Sequence, residues 1–143
     1  MQISAVPKEI NEWSGSVLIV GILEGTIESQ INLFKVIIKD TFLSQRFIDS
    51  KFEGKKNQKL SIELIEGKVK QVIFVGLGKA ETLRIDDLRK AASIGTRQVS
   101  GYKRKLGIFF PWDAFDPSLG ACAVGEAVRL SSIKDLRFKL LCT

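Results

Sequence analysis

Histidine is absent from the 143 residues of this chain. Because histidine is the usual general base near neutral pH and the commonest transition-metal ligand, its absence excludes Ser-His-Asp and Cys-His catalysis and two-histidine metal sites. Carboxylates, lysines and hydroxyls are left. The close acidic pairs are Asp86 with Asp87 and Asp113 with Asp116. Neither pair predicts a site, since adjacent helical residues diverge by about 100° and the second pair brackets a turn.

Cysteine is scarce, with Cys122 and Cys142 alone in the sequence. Their positions give neither a disulfide framework nor a zinc spacing, so we expect a reducing compartment, a small buried residue at Cys122 and an end-of-chain residue at Cys142. No apolar run reaches the roughly 18 residues of a membrane span, and the N-terminus does not have the pattern of a signal peptide. We therefore expect a cytoplasmic protein that does not contact a membrane.

Negative charge is in the minority, with 16 Asp and Glu against 22 Lys and Arg, for a net charge of +6. The excess is concentrated in two clusters, Lys51, Lys55, Lys56 and Lys59, and Lys103, Arg104 and Lys105. Such clusters can attract a polyanion, although their positions in expected turns favour solvated loops. Length and a 45% apolar composition predict one globular domain over residues 1–143.

Six short apolar runs predict strands, at residues 3–6, 17–23, 60–65, 71–77, 106–110 and 138–142. Several are continuous, which is typical of a sheet that is buried on both faces. Helical patterns lie between them, including a segment at 31–50 that we expect to form two helices. The order of elements predicts an α/β protein, a three-layer α/β/α sandwich with a mixed six-stranded sheet, whose antiparallel part is a hairpin turning at Gly67.

Two further helices have apolar stripes. One begins near Ile85 with acidic residues in its first turn, and its stripe contains Leu88, Ala91, Ala92, Gly95 and Val99. The other follows a cap at Asp116 or Ser118 with Pro117 in its first turn. Its predicted stripe contains Leu119, Cys122, Ala123, Ala127 and Leu130.

The glycines of VGLGK, residues 75–79, lie between a predicted strand and a predicted helix. Glycines in this position can let backbone amides approach a phosphate, so Gly76 to Lys79 is a candidate phosphate cradle. However, a dinucleotide fingerprint requires a third glycine where Glu81 stands, and a P-loop requires Ser or Thr where Ala80 stands. A tight structural corner is the favoured interpretation.

Aromatic residues are concentrated in FFPWDAFDP, residues 109–117. We expect Phe109 and Phe110 to lie in the core. Trp112 and Phe115 have two open interpretations, core packing and a partner contact, because aromatic anchors on rigid loops are favoured at interfaces.

Four collinear segments resemble one known family. VIFVGLGKAETLRIDDLRKAAS (72–93) is similar to the strand, glycine corner and helix in the N-terminal domain of leucine aminopeptidases, the cytosolic metal-dependent exopeptidases. Residues 14–25, 52–58 and 123–139 resemble that domain's second strand, lysine-rich loop and closing helix. The resemblance implies a macro-domain-like fold and a noncatalytic role, in which the domain packs against neighbouring subunits of a hexamer and shapes access to the active sites.

The resemblance also implies where the chemistry lies. In this family a C-terminal catalytic domain binds two divalent metals, zinc or manganese, and releases N-terminal amino acids from peptides. None of its motifs occurs here, so no residue of this chain is assigned as catalytic, cofactor-binding or metal-binding, and the chain alone is not expected to be an enzyme. The implied partners are that catalytic domain and neighbouring subunits.

Two alternative functions stay open. Some bacterial relatives bind DNA, and a polyanion could contact Lys55, Lys56, Lys103, Arg104 and Lys105. An ADP-ribose-type ligand could instead bind through Gly76 to Lys79, because the implied fold resembles macro domains, although fold alone does not confer function.

Overall fold

The fold is organised around one mixed β-sheet. The computed structural model describes residues 12–13, 15–35, 38, 41–99 and 105–141, with the backbone alone for 132–141. Its main elements are β1 (Val17–Leu23), α1 (Ile27–Phe34), α2 (Leu43–Ser50), β2 (Lys59–Glu63), β3 (Gln71–Gly78), α3 (Ile85–Arg97), β4 (Leu106–Phe109) and α4 (Pro117–Leu141). Two short 3-10 turns, Ala80–Thr82 and Trp112–Ala114, precede α3 and α4.

The strand order is β2-β3-β1-β4. β1 is parallel to both β3 and β4, whereas β2 is antiparallel to β3. The reversal between β2 and β3 includes Gly67, whose φ of 88° lies in the left-handed region that glycine adopts easily. The mixed sheet and the hairpin at Gly67 are therefore confirmed.

Helices cover both faces of this sheet. On one face, α1 and α2 enclose the first core, which contains Leu18, Val20, Ile22, Ile31, Phe34, Ile38, Leu43, Phe47, Phe52, Ile62, Leu64, Val69, Val72 and Phe74. On the other, α3 and α4 enclose the second core, which contains Val17, Ile19, Ile73, Val75, Leu77, Leu88, Ala91, Ala92, Phe110, Val124, Ala127 and Val128. Successive residues of β1 alternate between the two cores, as strand geometry requires, and this explains the continuous apolar run.

Four of the predicted strands are confirmed, and their observed ends differ from the predicted ones by at most two residues. The strand at 138–142 is wrong, because residues 138–141 belong to α4. Leu, Arg and Lys are good helix formers, and extending an existing helix is easier than starting a new element. The predicted strand at 3–6 lies outside the described residues. The part of the chain that is described therefore forms a four-stranded sheet in place of the expected six strands.

The helix predictions largely agree with the structure. The segment at 31–50 does form two helices, although α1 already begins at Ile27. α3 begins at Ile85 as predicted. α4 is capped by Asp116, whose Oδ1 accepts hydrogen bonds from the backbone N–H of Ser118 (2.9 Å) and Leu119 (3.3 Å). No helix within the described ranges is long and apolar enough to cross a membrane.

The apolar stripe of α4 differs from the prediction. Within residues 117–131, where burial is described, the buried residues are Gly120, Ala123, Val124, Ala127 and Val128. Leu119 and Leu130 are 59% and 67% exposed, and Cys122 is exposed too, so its prediction as a buried residue is wrong. The reason is that α4 packs against α3 through small side chains, which let the two helices approach closely.

Candidate functional site

The candidate phosphate cradle is closed by the protein's own backbone. We call Gly76 to Lys79 the glycine corner and residues 51–58 the lysine loop. The backbone N–H of Gly76 donates to the carbonyl of Gln58 (2.9 Å), and that of Gly78 donates to the carbonyl of Gly54 (2.8 Å). Because both amides already have carbonyl partners, they are not available to a phosphate. The cradle interpretation is wrong for these two glycines.

The glycines are required because the lysine loop lies directly against them. A Cβ added to Gly76 would overlap with the carbonyl oxygen of Lys55, which belongs to the backbone and cannot rotate away. Gly78 has a φ of 80°, and an added Cβ would lie 2.8 Å from Cγ of Lys56. In the loop itself, Gly54 lies over the end of β1, where its Cβ would come within 3.0 Å of the carbonyl oxygen of Leu23. The geometry supports the structural-corner interpretation.

Gln58 fixes the shape of the lysine loop. Its Oε1 accepts hydrogen bonds from the backbone N–H of Glu53 (2.9 Å) and Lys55 (3.0 Å), and its Nε2 donates to the carbonyl of Lys51 (3.3 Å). One side chain thus satisfies three backbone groups that the loop would otherwise leave to solvent. Sequence reasoning missed this residue. The signal available was the sequence KNQ, in which Asn57 has a φ of 68° that asparagine tolerates well.

The two central lysines of this loop already contact carboxylates. Nζ of Lys55 lies 2.6 Å from Oε2 of Glu53, and this hydrogen bond and charge raise the pKa of Lys55 above its ordinary value. Nζ of Lys56 lies 3.3 Å from Oδ2 of Asp87, whose side chain is 12% exposed. The same oxygen accepts the N–H of Arg84 at the start of α3 (2.9 Å). Lys56 therefore ties the loop to α3.

The remaining residues of the predicted polyanion site are placed only in part. Lys105 is exposed, and its carbonyl accepts hydrogen bonds from Ser16 and Val17. Lys103 and Arg104 lie outside the described residues. Since Lys55 and Lys56 face carboxylates, the lysine loop presents less free positive charge than its sequence indicates.

Three residues of the acidic pairs, Asp86, Asp87 and Asp116, have structural roles. Oδ1 of Asp86 lies 2.8 Å from Arg89, and Arg89 also lies 3.6 Å from Glu126, which connects α3 with α4. Asp87 points instead to Lys56, so the two neighbours diverge as predicted. Asp113 is exposed in the turn before the cap residue Asp116. Among the residues that the structure describes, no group of three or more His, Cys, Asp or Glu could hold a metal ion.

The aromatic residues around α4's start form a chain of ring contacts. The rings of Phe110 and Trp112 lie 5.8 Å apart, and those of Trp112 and Phe115 are also 5.8 Å apart with T-shaped geometry. Trp112 and Phe115 are half-buried against the second core, and Phe115 covers Gly120. These contacts favour core packing over the partner interpretation.

Two surface grooves among the described residues are further candidate sites. A groove of about 700 Å³ lies between α1 and α2, with Ile31, Phe47 and Phe52 among its lining residues. A smaller groove of about 390 Å³ lies between α3 and α4, and its lining includes Arg89, Lys90, Arg97, Glu126 and Leu130. The first lining includes Glu28, Lys35 and Ser44, and the second includes Lys90, Ser93 and Glu126. Among the described residues, no hydrogen bond joins either serine to a lysine or a carboxylate, so neither groove has an assembled nucleophile and base.

Comparison with known proteins identifies a matching family and several similar proteins. The model of the family described as "Cytosol aminopeptidase family, N-terminal domain" matches residues 19–140. A "Probable cytosol aminopeptidase" of Prochlorococcus marinus (strain MIT 9211) is 46% identical over 139 residues, which cover 97% of this chain and 28% of the relative. The protein of the same description from Synechococcus sp. (strain CC9311) is 32% identical, again with 97% and 28% covered.

Among solved structures, a tomato leucine aminopeptidase mutant matches with a TM-score of 0.62 and 15% identity. The match covers 87% of this chain and 26% of the tomato chain. At this identity the likeness concerns the fold alone. The chain thus spans about 28% of the length of the curated relatives that it matches.

Proposed function

The chain belongs to the cytosol aminopeptidase family and corresponds to its N-terminal domain, and we therefore propose that it serves, as a single domain over residues 1–143, as a noncatalytic part of a leucine aminopeptidase-like exopeptidase. In this role it supports the assembly of subunits into a hexamer and shapes access to their active sites. The observation that carries the proposal is a match over 97% of this chain and 28% of the relative.

The reaction of the parent enzyme is assigned to the portion that this chain does not contain. We propose that it releases N-terminal amino acids from peptides in the cytoplasm. Two divalent metals, zinc or manganese, would supply water activation there. Several polar residues of the present domain have structural contacts: Asp87 and Asp116 cap helices, and Lys56 and Gln58 hold the lysine loop. This use of polar groups for local structure is consistent with a noncatalytic role.

Two measurements test the proposal. The purified chain, with Mn²⁺ or Zn²⁺ and a chromogenic aminoacyl substrate, should give no turnover above a blank that contains metal and substrate. A chimera in which this chain replaces the matched region of the Prochlorococcus marinus MIT 9211 relative should hydrolyse the same substrate and form a hexamer by light scattering. Turnover by the chain alone would refute the noncatalytic role. A hexameric, active relative that lacks this region would refute the assembly role.

A polyanion-binding module is the alternative function. The observation in its favour is now the groove between α3 and α4, whose lining includes Arg89, Lys90 and Arg97. Lys90 and Arg97 form no salt bridge with another described residue. Duplex DNA should then bind more weakly at higher salt, and Lys90→Ala should weaken binding more than Lys35→Ala on the opposite side of the sheet. Equal affinity at two salt concentrations would contradict it.

The macro-domain likeness remains a prediction. The amides of Gly76 and Gly78 already donate to the carbonyls of Gln58 and Gly54, which argues against binding of ADP-ribose through Gly76 to Lys79.

A further inference from the structure

Helix α4 has apolar residues on two sides. Its inner side, described above, packs against α3. Leu119, Cys122 and Leu130, which we call the outer stripe, are exposed. Their spacing of three and eight residues places them along one side of a helix with 3.6 residues per turn. A helix with apolar residues on several sides is typical of one that is covered on several sides, whereas the described residues cover α4 on its inner side.

The charge beside the outer stripe is partly balanced. Glu126 lies between Cys122 and Leu130 in the helix, and the cap residue Asp116 precedes Leu119. The carboxylate of Glu126 lies 3.6 Å from the guanidinium of Arg89 on α3. Both side chains stay largely exposed, so this contact offsets the charge of Glu126 only in part.

The length of the relatives bears on what could cover this stripe. The matched family model is that of an N-terminal domain, and the match accounts for 28% of the first relative's length. Most of the relative's polypeptide therefore follows the region that corresponds to α4. In the relative, this following polypeptide continues from the region that corresponds to α4, which in the present domain lies on the α3 and α4 side of the sheet. The exposed Ile48 on α2 lies on the opposite side.

We propose that the outer stripe, Leu119, Cys122 and Leu130 of α4, is the surface on which the catalytic portion of the same polypeptide docks. The occupant is an apolar face of that catalytic portion. This inference rests on the proposed function, and it adds the surface through which the domain contacts the rest of the enzyme.

Cys122 provides a direct probe of this surface. Its thiol should react with a maleimide reagent in the isolated chain carrying Cys142→Ser, and at least tenfold more slowly in the chimera with the Prochlorococcus marinus relative. Peptide mass spectrometry reads the label at Cys122 alone. Equal rates in the two proteins would overturn the proposal. Protection that appears in the isolated chain as its concentration rises would also overturn it, because a second copy would then be the occupant.

Leu130 and Ile48 form a matched pair of variants, because they are 67% and 68% exposed and both lie on helices. Leu130→Glu should restore fast labelling of Cys122 in the chimera and lower its melting temperature, with little change in the isolated chain. Ile48→Glu should leave Cys122 protected. The reverse pattern would place the docking surface on α2 and refute the proposal.

Turnover by the chimera separates the two proposals. An active chimera that labels Cys122 at the rate of the isolated chain refutes the docking surface and leaves the proposed function intact. A chimera without turnover counts against the proposed function, and the labelling rate still decides whether the stripe is covered.

Discussion

The two faces of the sheet are filled by different means. The first core uses large aromatic side chains: the ring of Phe74 lies 4.7 Å from that of Phe47 and 6.3 Å from that of Phe34. The second core also contains the rings of Phe110, Trp112 and Phe115, but its helices α3 and α4 pack through small residues. Gly95 lies so close to β1 that a Cβ there would come within 2.7 Å of Ile19 Cγ2. One face is held by side-chain volume and the other by close backbone approach.

The lengths of the helices explain this difference. α1 and α2 have eight residues each, and helices this short are marginal in isolation, so they depend on large side chains that anchor them to the sheet. α3 has 13 residues and α4 has 25, so they can use repeated small contacts along their length. Removing volume should therefore harm the first face most, whereas adding volume should harm the second.

The largest effect is expected from Phe74→Ala in the first core. Phe74 is fully buried and contacts two other phenylalanines, so its truncation should lower the free energy of unfolding by about 3–5 kcal/mol. Urea denaturation followed by circular dichroism measures this. Ile65→Ala is the control, because Ile65 is 95% exposed, and should change stability by less than about 0.5 kcal/mol. A loss below 1 kcal/mol for Phe74→Ala would show that volume does not hold this face.

A smaller loss is expected from Gly95→Ala in the second core. The added methyl would press on Ile19, and overpacking of this kind costs about 1–3 kcal/mol. This should outweigh the gain of about 1 kcal/mol that alanine brings to a helix interior. Lys90→Ala, on the exposed side of α3, is the matched control and should be nearly neutral. If Gly95→Ala stabilises the domain in thermal denaturation, the close-approach explanation is wrong.

Asp116→Ala tests the start of α4, independently of either core. Loss of the two hydrogen bonds to Ser118 and Leu119 should cost about 0.5–2 kcal/mol. Asp116→Asn should retain most of the stability, because an asparagine side chain can also cap. Equal destabilisation by both variants in urea would show that capping is not the cause.

The smallest effect is expected from Lys55→Met in the lysine loop, which belongs to neither core. Although Glu53 raises the pKa of Lys55, both side chains are 58% exposed and solvent screens their attraction. The melting temperature at neutral pH should not change measurably. Lys56→Met should lower it slightly more, because its partner Asp87 is only 12% exposed. A larger loss from Lys55→Met would show that the exposed ion pair organises the loop.

The elements with a single strong signal were predictable from the sequence. β1 and β3 are continuous apolar runs, and the starts of α3 and α4 follow from acidic residues and from Asp116 with Pro117. In these cases local chemistry and tertiary packing favour the same structure. The incomplete glycine motif also correctly favoured a structural corner.

Tertiary packing determines the features that the sequence did not predict. Periodicity shows that α4 has apolar sides, but not that α3 selects the side with Ala123 and Ala127 and leaves Leu119 and Leu130 exposed. Likewise, nothing local to Gln58 reveals that it will bond to the N–H groups of Glu53 and Lys55. These features depend on neighbours that come together during folding.

Closure of the glycine corner restricts where a small ligand can bind to this domain. Open α/β sheets generally receive small ligands in the crevice beyond the carboxyl ends of their parallel strands. Here the lysine loop covers the carboxyl ends of β1 and β3. Its carbonyl oxygens accept hydrogen bonds from the backbone amides that a ligand would otherwise contact. A small ligand therefore cannot reach the ends of β1 and β3 by this route, whereas exposed apolar side chains such as Ile48 and Leu130 lie on the flanking helices.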